Sequence, residues 1–242
     1  SIAQDSGHRN RQYEVMKNTS GPGMVLFALS ITFFAIDFLM SLDFKFFSTI
    51  FGVYIFASSF VAFLAFTIFS LNYLRTQGVL AETVNTEHYH DLGKLLFGFI
   101  VFWTYIAFSQ YFLIWYGNMP EETEFFLNHW VGSWKTMSMV LLFGQFVVPF
   151  LVLMSRIIKR IPALLAIVAA YMLVMHFVNL HWIVMPALYP EGVHLSWMDL
   201  TTVIGVGGIF TWRLWSIYSA HALVPVNDPM LSESLTYENT LP

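Results

Sequence analysis

Six stretches of this 242-residue sequence are each apolar enough, over a sufficient length, to cross a lipid bilayer. A membrane-spanning helix needs roughly 20 mostly apolar residues, and hydrocarbon admits only backbone whose polar groups are satisfied internally. The stretches cover about 23–42, 46–74, 95–117, 137–154, 162–185 and 200–218. They predict an all-α membrane protein, with a six-helix transmembrane bundle over 23–219 between polar segments 1–22 and 220–242.

Two stretches are expected to depart from a straight span. The second is long enough to tilt or to protrude. The fourth is short and contains Pro149, which has no backbone N–H and so predicts a kinked helix. The connections between stretches are short, which predicts antiparallel neighbours.

The basic residues predict which side of the membrane each loop faces, because Lys and Arg mark the cytoplasmic side. Eight lie on one predicted side, namely Arg9, Arg11, Lys17, Arg75, Lys94, Arg156, Lys159 and Arg160, while Lys45 and Lys135 lie on the other. Most tryptophans fall at the predicted interfaces, as in an aromatic belt. We therefore expect both ends of the chain to be cytoplasmic.

Ionisable and amide side chains inside the apolar stretches are the first candidates for function, because such groups are costly in hydrocarbon. Asp37 lies in the first stretch and His176 and His181 in the fifth, while Gln110 and Gln145 lie in the third and fourth. His176 and Asn179 are three residues apart and share a helix face. These groups either converge into a polar track or fix helix packing, and packing is the favoured interpretation for the glutamines.

The string HYHDLGK precedes the third stretch and brings His88, His90, Asp91 and Lys94 together. A His-x-His followed by Asp is a weak metal signature without further ligands. Helix capping, or proton collection by a group that titrates near neutral pH, is the favoured interpretation.

Several classes of protein do not fit the composition. The chain has no cysteine, which excludes thiolate metal sites and cysteine-ligated iron–sulfur clusters within it. Its net charge of -4 argues against nucleic-acid binding. Paired axial histidines at matching depth are missing, so we expect no haem, and no metal site or catalytic residue is predicted.

Longer strings carry a resemblance to a known family. They include LMSLDFKFFSTIFGVYIF, HYHDLGKLLFGFIVFWTYIAFSQYFLIWYGNMPEET, GSWKTMS, GQFVVPFLVLMSR, HWIVMPALYPEG and, in the tail, VPVNDPMLSESLTYEN. In this order, from about Gly21 to Asn239, they resemble the second NrfD/PsrC-like membrane subunit (quinone-binding subunit 2) of bacterial alternative complex III, a quinol:cytochrome c oxidoreductase. Family members have about ten spans, so the resemblance implies that this chain is the C-terminal part of a longer one.

The resemblance also implies location, function and partners. The location is a bacterial cell (inner) membrane. The resemblance predicts an electron-transport subunit that gives scaffold contacts and a transmembrane proton path, with quinol as ligand of the complex. The implied partners are the other NrfD/PsrC-like subunit, a periplasmic iron–sulfur subunit, haem c subunits and membrane lipids. The positions that match the family pattern are Asp37, Asp43, His90, Asp91, Lys94, Tyr105, Gln110, Tyr111, Glu121, Glu122, Lys135, His176 and Asp199. Asn179 departs from that pattern, which often has an acid there.

The residues and the resemblance together give one set of candidates for a proton path: Asp37, His90, Asp91, Lys94, Tyr105, Gln110, His176 and His181. The alternative hypothesis is an anchor subunit with no proton or quinone role. A stand-alone transporter ranks last, because the six stretches show no inverted repeat.

Overall fold

The computed structural model describes residues 9–224, 228 and 230–238, with side chains from Tyr13 onward. The described part of the chain is helical and contains no strand. Its helices are α1 (Arg9–Phe34), α2 (Phe51–Thr76), α3 (Thr86–Gly117), α4 (Pro120–Asn128), α5 (Gly132–Met154), α6 (Arg156–Arg160), α7 (Pro162–Val184), α8 (Trp197–Ala220) and α9 (Leu231–Leu235). Six of them are long and apolar enough to cross a membrane, so the predicted all-α fold class with six such helices is confirmed.

The first helix differs most from its predicted bounds. The spanning segment runs over Tyr13–Leu42, because α1 continues through a π-helical turn, Ala35–Leu39, and a 3-10 turn, Met40–Leu42. Residues 9–22, predicted as a polar segment, therefore belong to α1. Residues 1–8, 225–227, 229 and 239–242 of the predicted terminal segments lie outside the described residues.

The third spanning helix begins earlier than its apolar stretch, because a side-chain cap fixes its first turn. The Asn85 Oδ1 atom accepts hydrogen bonds from the backbone N–H groups of Glu87 and His88 at 3.0 and 3.1 Å. The His88 Nδ1 atom accepts in return from Asn85 N–H at 3.2 Å. This reciprocal arrangement is a capping box, so His88 of the string HYHDLGK has a capping role.

Helix α5 is irregular just before Pro149, the residue at which the sequence predicts a kink. Residues Leu141–Val147 form a π-helical turn between two regular segments. Pro149 has no N–H to donate to the carbonyl four residues earlier, that of Gln145. The Tyr171 hydroxyl donates to the Gly144 carbonyl at 2.8 Å, so α7 satisfies a backbone group within this turn.

The described chain divides into two compact units. Residues Leu26–Val193 form the larger one, and the described residues before and after them form the smaller.

In the smaller unit a second capping box starts α8. Ser196 Oγ accepts from Met198 N–H at 3.3 Å and Asp199 Oδ2 accepts from Ser196 N–H at 2.7 Å. Asp199, which matched the family pattern, therefore has a structural role at a helix start.

Within Leu26–Val193, α2 is the central helix and packs against both α3 and α7. Two buried clusters lie along it. One surrounds Phe51, Trp103 and Phe125, and we call its end of the bundle the Phe125 end. The other is an apolar layer at the opposite end, which we call the Tyr89 end, and it includes Ile68, Tyr89, Leu96, Leu165 and Met172.

Candidate functional site: a buried polar chain beside an aromatic cavity

Four polar side chains form one hydrogen-bonded chain between α2 and α7. The Tyr54 hydroxyl donates to Asn179 Oδ1 at 2.5 Å, and Asn179 Nδ2 donates to Ser58 Oγ at 2.9 Å. Ser58 Oγ lies 3.0 Å from His176 Nδ1. Asn179 is 0% exposed and Ser58 1%. The prediction that His176 and Asn179 share a helix face is confirmed, because both contact Ser58.

The members of this chain differ in whether they can carry a proton. Ser58 Oγ accepts from Asn179 and forms a second hydrogen bond with His176 Nδ1, whose direction depends on the tautomer of the ring. An amide side chain does not pass a proton on by ionising, so Asn179 orients Ser58 rather than relaying protons. Of the four side chains, His176 is the one whose imidazole can bind and release a proton.

A cavity of about 610 Å³ lies against the same chain, at the Phe125 end. Its walls come from α2, α3, α4, α5 and α7 and are mainly aromatic. Tyr54 lines the cavity and also begins the polar chain, so it connects the two. Gln110, a sequence candidate, lines it as well and is 6% exposed. Gln110 and His176 are thus linked indirectly in the described structure, because Tyr54 lines the cavity with Gln110 and belongs to the hydrogen-bonded chain that ends at His176.

His129 forms part of the same wall and ties two helix ends together. Its Nδ1 atom lies 2.6 Å from the Phe125 carbonyl and its Nε2 atom 2.9 Å from the Trp182 carbonyl. Phe125 is in the last turn of α4, and Pro186 has no N–H for the Trp182 carbonyl four residues earlier. His129 thus lies within hydrogen-bond distance of two carbonyls near helix ends, and one of them, that of Trp182, lacks its usual helical donor.

The charge of His129 is set by its burial, since the residue is only 2% exposed. Burial lowers the pKa of His129, and the two backbone carbonyls and Asp43 oppose that shift. A neutral imidazole donates through one nitrogen only, so at neutral pH one of the two carbonyl contacts is made without a hydrogen.

We expect the stability of the protein to fall as the pH is lowered because of His129. A lowered folded-state pKa means that, below about pH 6.5, the unfolded chain binds a proton that the folded chain does not. The free energy of unfolding should decrease through this window, by up to about 1.4 kcal/mol per pH unit. Thermal unfolding of wild type and His129→Gln between pH 8 and pH 5 measures how the free energy of unfolding depends on pH. The slope should become shallower in His129→Gln than in wild type. An unchanged or steeper slope in His129→Gln would contradict a lowered pKa of His129.

The candidates in HYHDLGK form a separate group at the Tyr89 end. Asp91 and Lys94 make a partly exposed ion pair at 2.6 Å. Buried His90 has its Nδ1 atom 3.9 Å from Glu87 Oε2, and Glu87 pairs with Arg160. The apolar layer at this end of the bundle lies between the group and His176, so the described side chains do not join His90 to the polar chain.

The remaining candidates lie apart from both groups. Asp37 is exposed within the π-helical turn of α1, and Tyr105 is 64% exposed on α3. His181 is buried and packs its ring 6.1 Å from Trp134 and 6.0 Å from Phe177, measured between ring centroids. Gln145 is buried at the π-helical turn of α5.

Sequence reasoning missed Tyr54, Ser58, Trp103 and His129 as site residues. Tyr54 and Ser58 had a usable signal, because polar groups four residues apart in an apolar helix share one face. His129 had none, since its role depends on a contact with Trp182, 53 residues away.

The sequence matches no protein-family model, and a comparison with curated proteins finds no significant match.

Proposed function

We propose that this chain is an integral membrane subunit of a bacterial quinol:electron-acceptor oxidoreductase of the alternative complex III type. In that complex it gives scaffold contacts and handles protons at His176. The resemblance of its longer strings supplies the class of complex. Its partners are then a second NrfD/PsrC-like subunit, a periplasmic iron–sulfur subunit and haem c subunits, with both ends of this chain cytoplasmic.

The exposed position of Asp37 is the observation that best supports the hypothesis that this chain belongs to a complex. This carboxyl group lies five residues before the end of a membrane-spanning segment, on a surface where Phe33, Phe34 and Phe38 are 61, 50 and 66% exposed. Placing a carboxylate in contact with lipid costs free energy, whereas contact with another protein or with water avoids that cost. A neighbouring membrane subunit that covers this face of α1 removes that cost.

The polar chain supports proton handling. Quinol oxidation releases protons, and a subunit beside that reaction can bind and release them through an imidazole. His176 supplies an imidazole, and its Nδ1 atom is hydrogen-bonded to Ser58, which Asn179 and Tyr54 hold in place. An apolar anchor would not require this buried arrangement, although it would tolerate one as a packing device.

Purification of the affinity-tagged chain from its native membrane in mild detergent tests membership of the complex. We expect haem c absorbance, iron and quinol oxidation to elute with the chain. Asp37→Leu should lower the yield of the complex, while Glu82→Leu, an exposed carboxylate outside the spanning segments, should not. A chain that elutes without redox subunits would overturn the proposal.

A further inference from the structure

A shallow groove of about 330 Å³ lies between α2 and α3 at the surface of the larger unit. Its lining is Phe56 of α2 together with Lys94, Leu95, Gly98, Phe99 and Phe102 of α3. The Phe56 and Phe99 rings meet edge to face with their centroids 6.3 Å apart, so they form one aromatic wall. Apart from the backbone of α3, no described atom lies within 4 Å of a Cβ atom placed at Gly98, so the groove is open there.

The length of the groove matches a lipid chain in one leaflet. Lys94 and Phe102 are eight residues apart on α3, which is about 12 Å along a helix axis. The hydrocarbon core of a bilayer is about 30 Å thick, so one leaflet supplies about 15 Å. The groove therefore covers most of the depth that an acyl chain occupies in its own leaflet.

Two ammonium groups lie at the polar end of the groove. Lys94 lines it, and its side chain is 45% exposed. The stem of Lys159, from α6, packs against α3, because a Cβ atom at Gly93 would lie 2.9 Å from Lys159 Cγ. The Lys159 Nζ atom lies 5.5 Å from the centroid of the Phe97 ring. Burial lowers the pKa of Lys159, and the charge of Lys94 lowers it further. The two charges repel, so an anion beside both would be stabilised.

The nearby carboxylates leave this positive charge incompletely neutralised. Glu87 pairs with Arg160, and Asp91 pairs with Lys94 at 2.6 Å. Lys159 forms no ion pair with any residue that the structure describes. An ammonium group has three N–H donors, so Lys94 can bind Asp91 and a second acceptor together. The polar end of the groove thus suits one negative charge.

We propose that this groove binds an anionic phospholipid in the leaflet at the Tyr89 end, with phosphatidylglycerol as the simplest example. One acyl chain lies over Gly98 and along Phe99, and the phosphate lies within reach of Lys94 and Lys159. Basic pockets beside membrane helices bind anionic head groups in this way. A zwitterionic lipid fills the same groove but brings no net charge to the two lysines. This lipid site does not depend on the redox complex proposed above.

Native mass spectrometry of the wild-type protein tests the site. The affinity-tagged protein is purified in mild detergent with the subunits that accompany it, and bound lipids are counted during titration. Dioleoylphosphatidylglycerol should bind at least about tenfold more tightly than zwitterionic dioleoylphosphatidylcholine, because each basic residue near a membrane surface contributes a factor of about five. Glycerophosphoglycerol, the same head group without acyl chains, should not displace the lipid at equal concentration.

Three outcomes on the wild-type protein would overturn the lipid site. One is equal affinity for the two lipids, and another is displacement by glycerophosphoglycerol, which would mean that the groove contributes nothing. The third is no binding of phosphatidylglycerol, as expected if a helix of another subunit covers the groove. Each of these outcomes leaves co-purification with redox subunits unaffected.

Charge variants show whether the two lysines hold the head group. Lys94→Gln and Lys159→Gln should each weaken binding of phosphatidylglycerol about fivefold. Lys135→Gln is the matched control and should bind as wild type does, because its ammonium group lies near Trp130 instead. Asp91→Asn removes the carboxylate that competes for Lys94 and should strengthen binding, a gain that a misfolded variant cannot give. Unchanged binding in both lysine variants would contradict the site.

Glycine variants show whether the acyl chain lies in the groove. Gly98→Leu fills the groove and should weaken binding of both lipids. Gly117→Leu, at the far end of α3, adds the same side chain at a position that is equally open and should leave binding unchanged. Equal binding by the two leucine variants would place the acyl chain elsewhere and overturn the proposal.

Discussion

Replacing Asn179 with leucine is expected to lower the free energy of unfolding by about 2–3 kcal/mol. The substitution removes the acceptor of the Tyr54 hydroxyl and the donor to Ser58, at a site where Asn179 is fully buried. Interhelical hydrogen bonds in membranes are worth about 0.6 kcal/mol on average and up to about 1.7. Asn179→Leu removes two such bonds and leaves two buried hydroxyls without these partners. The expected loss of unfolding free energy is therefore larger than for either bond alone.

A double-mutant cycle separates the hydrogen bond from the change in shape. Tyr54→Phe removes the hydroxyl whose acceptor is lost in Asn179→Leu, so the double variant should lose less than the sum of the two single losses. The coupling should be about 1 kcal/mol. Thermal unfolding in detergent micelles, followed by circular dichroism, gives all four values. Strict additivity would show that the contact between Tyr54 and Asn179 contributes nothing to stability.

Replacing Gly52 with leucine should destabilise the packing of α1 against α2 by about 1–3 kcal/mol, the usual cost of overpacking. A Cβ atom at Gly52 would lie 2.9 Å from both Thr32 Cγ2 and Thr32 Oγ1, and 3.1 Å from the Thr32 Cα atom. Because the last of these is backbone, a side-chain rotation cannot relieve the contact, and α1 has to move away.

Gly98→Leu is the matched control for this substitution. Gly98 lies on α3, and no described atom comes within 4 Å of a Cβ atom placed there, apart from the neighbours that any helix provides. We expect Gly98→Leu to unfold at or above the wild-type temperature, since leucine favours helix more than glycine does. Equal midpoints for the two leucine variants would contradict the close approach of α1 to α2.

The spanning helices could be predicted from the sequence because their signal is local. Length and apolar content are enough to identify a span, and Pro149 alone indicates the irregular turn in α5. The early start of α3 was missed because Asn85 and His88 lie in a polar stretch, where hydropathy carries no signal and only the capping pattern does.

Which way each side chain faces was harder to predict. Spanning helices are apolar on every side, so their periodicity does not separate a buried face from an exposed one. Asp37 and His176 gave the same sequence signal, yet Asp37 is exposed and His176 contacts Ser58. His129 and Trp103 acquire their positions only when distant helices pack.

Turnover per assembled copy of the proposed complex tests most directly whether the polar chain serves function or packing. The measurement compares quinol oxidation, and the protons released with it, in wild type, His176→Leu and Ser58→Ala, each normalised to haem content. If His176 handles protons, His176→Leu should lower turnover by at least about tenfold, and Ser58→Ala should lower it less. Unchanged turnover per complex, with only the yield of complex reduced, would contradict proton handling at His176 and leave this chain an anchor.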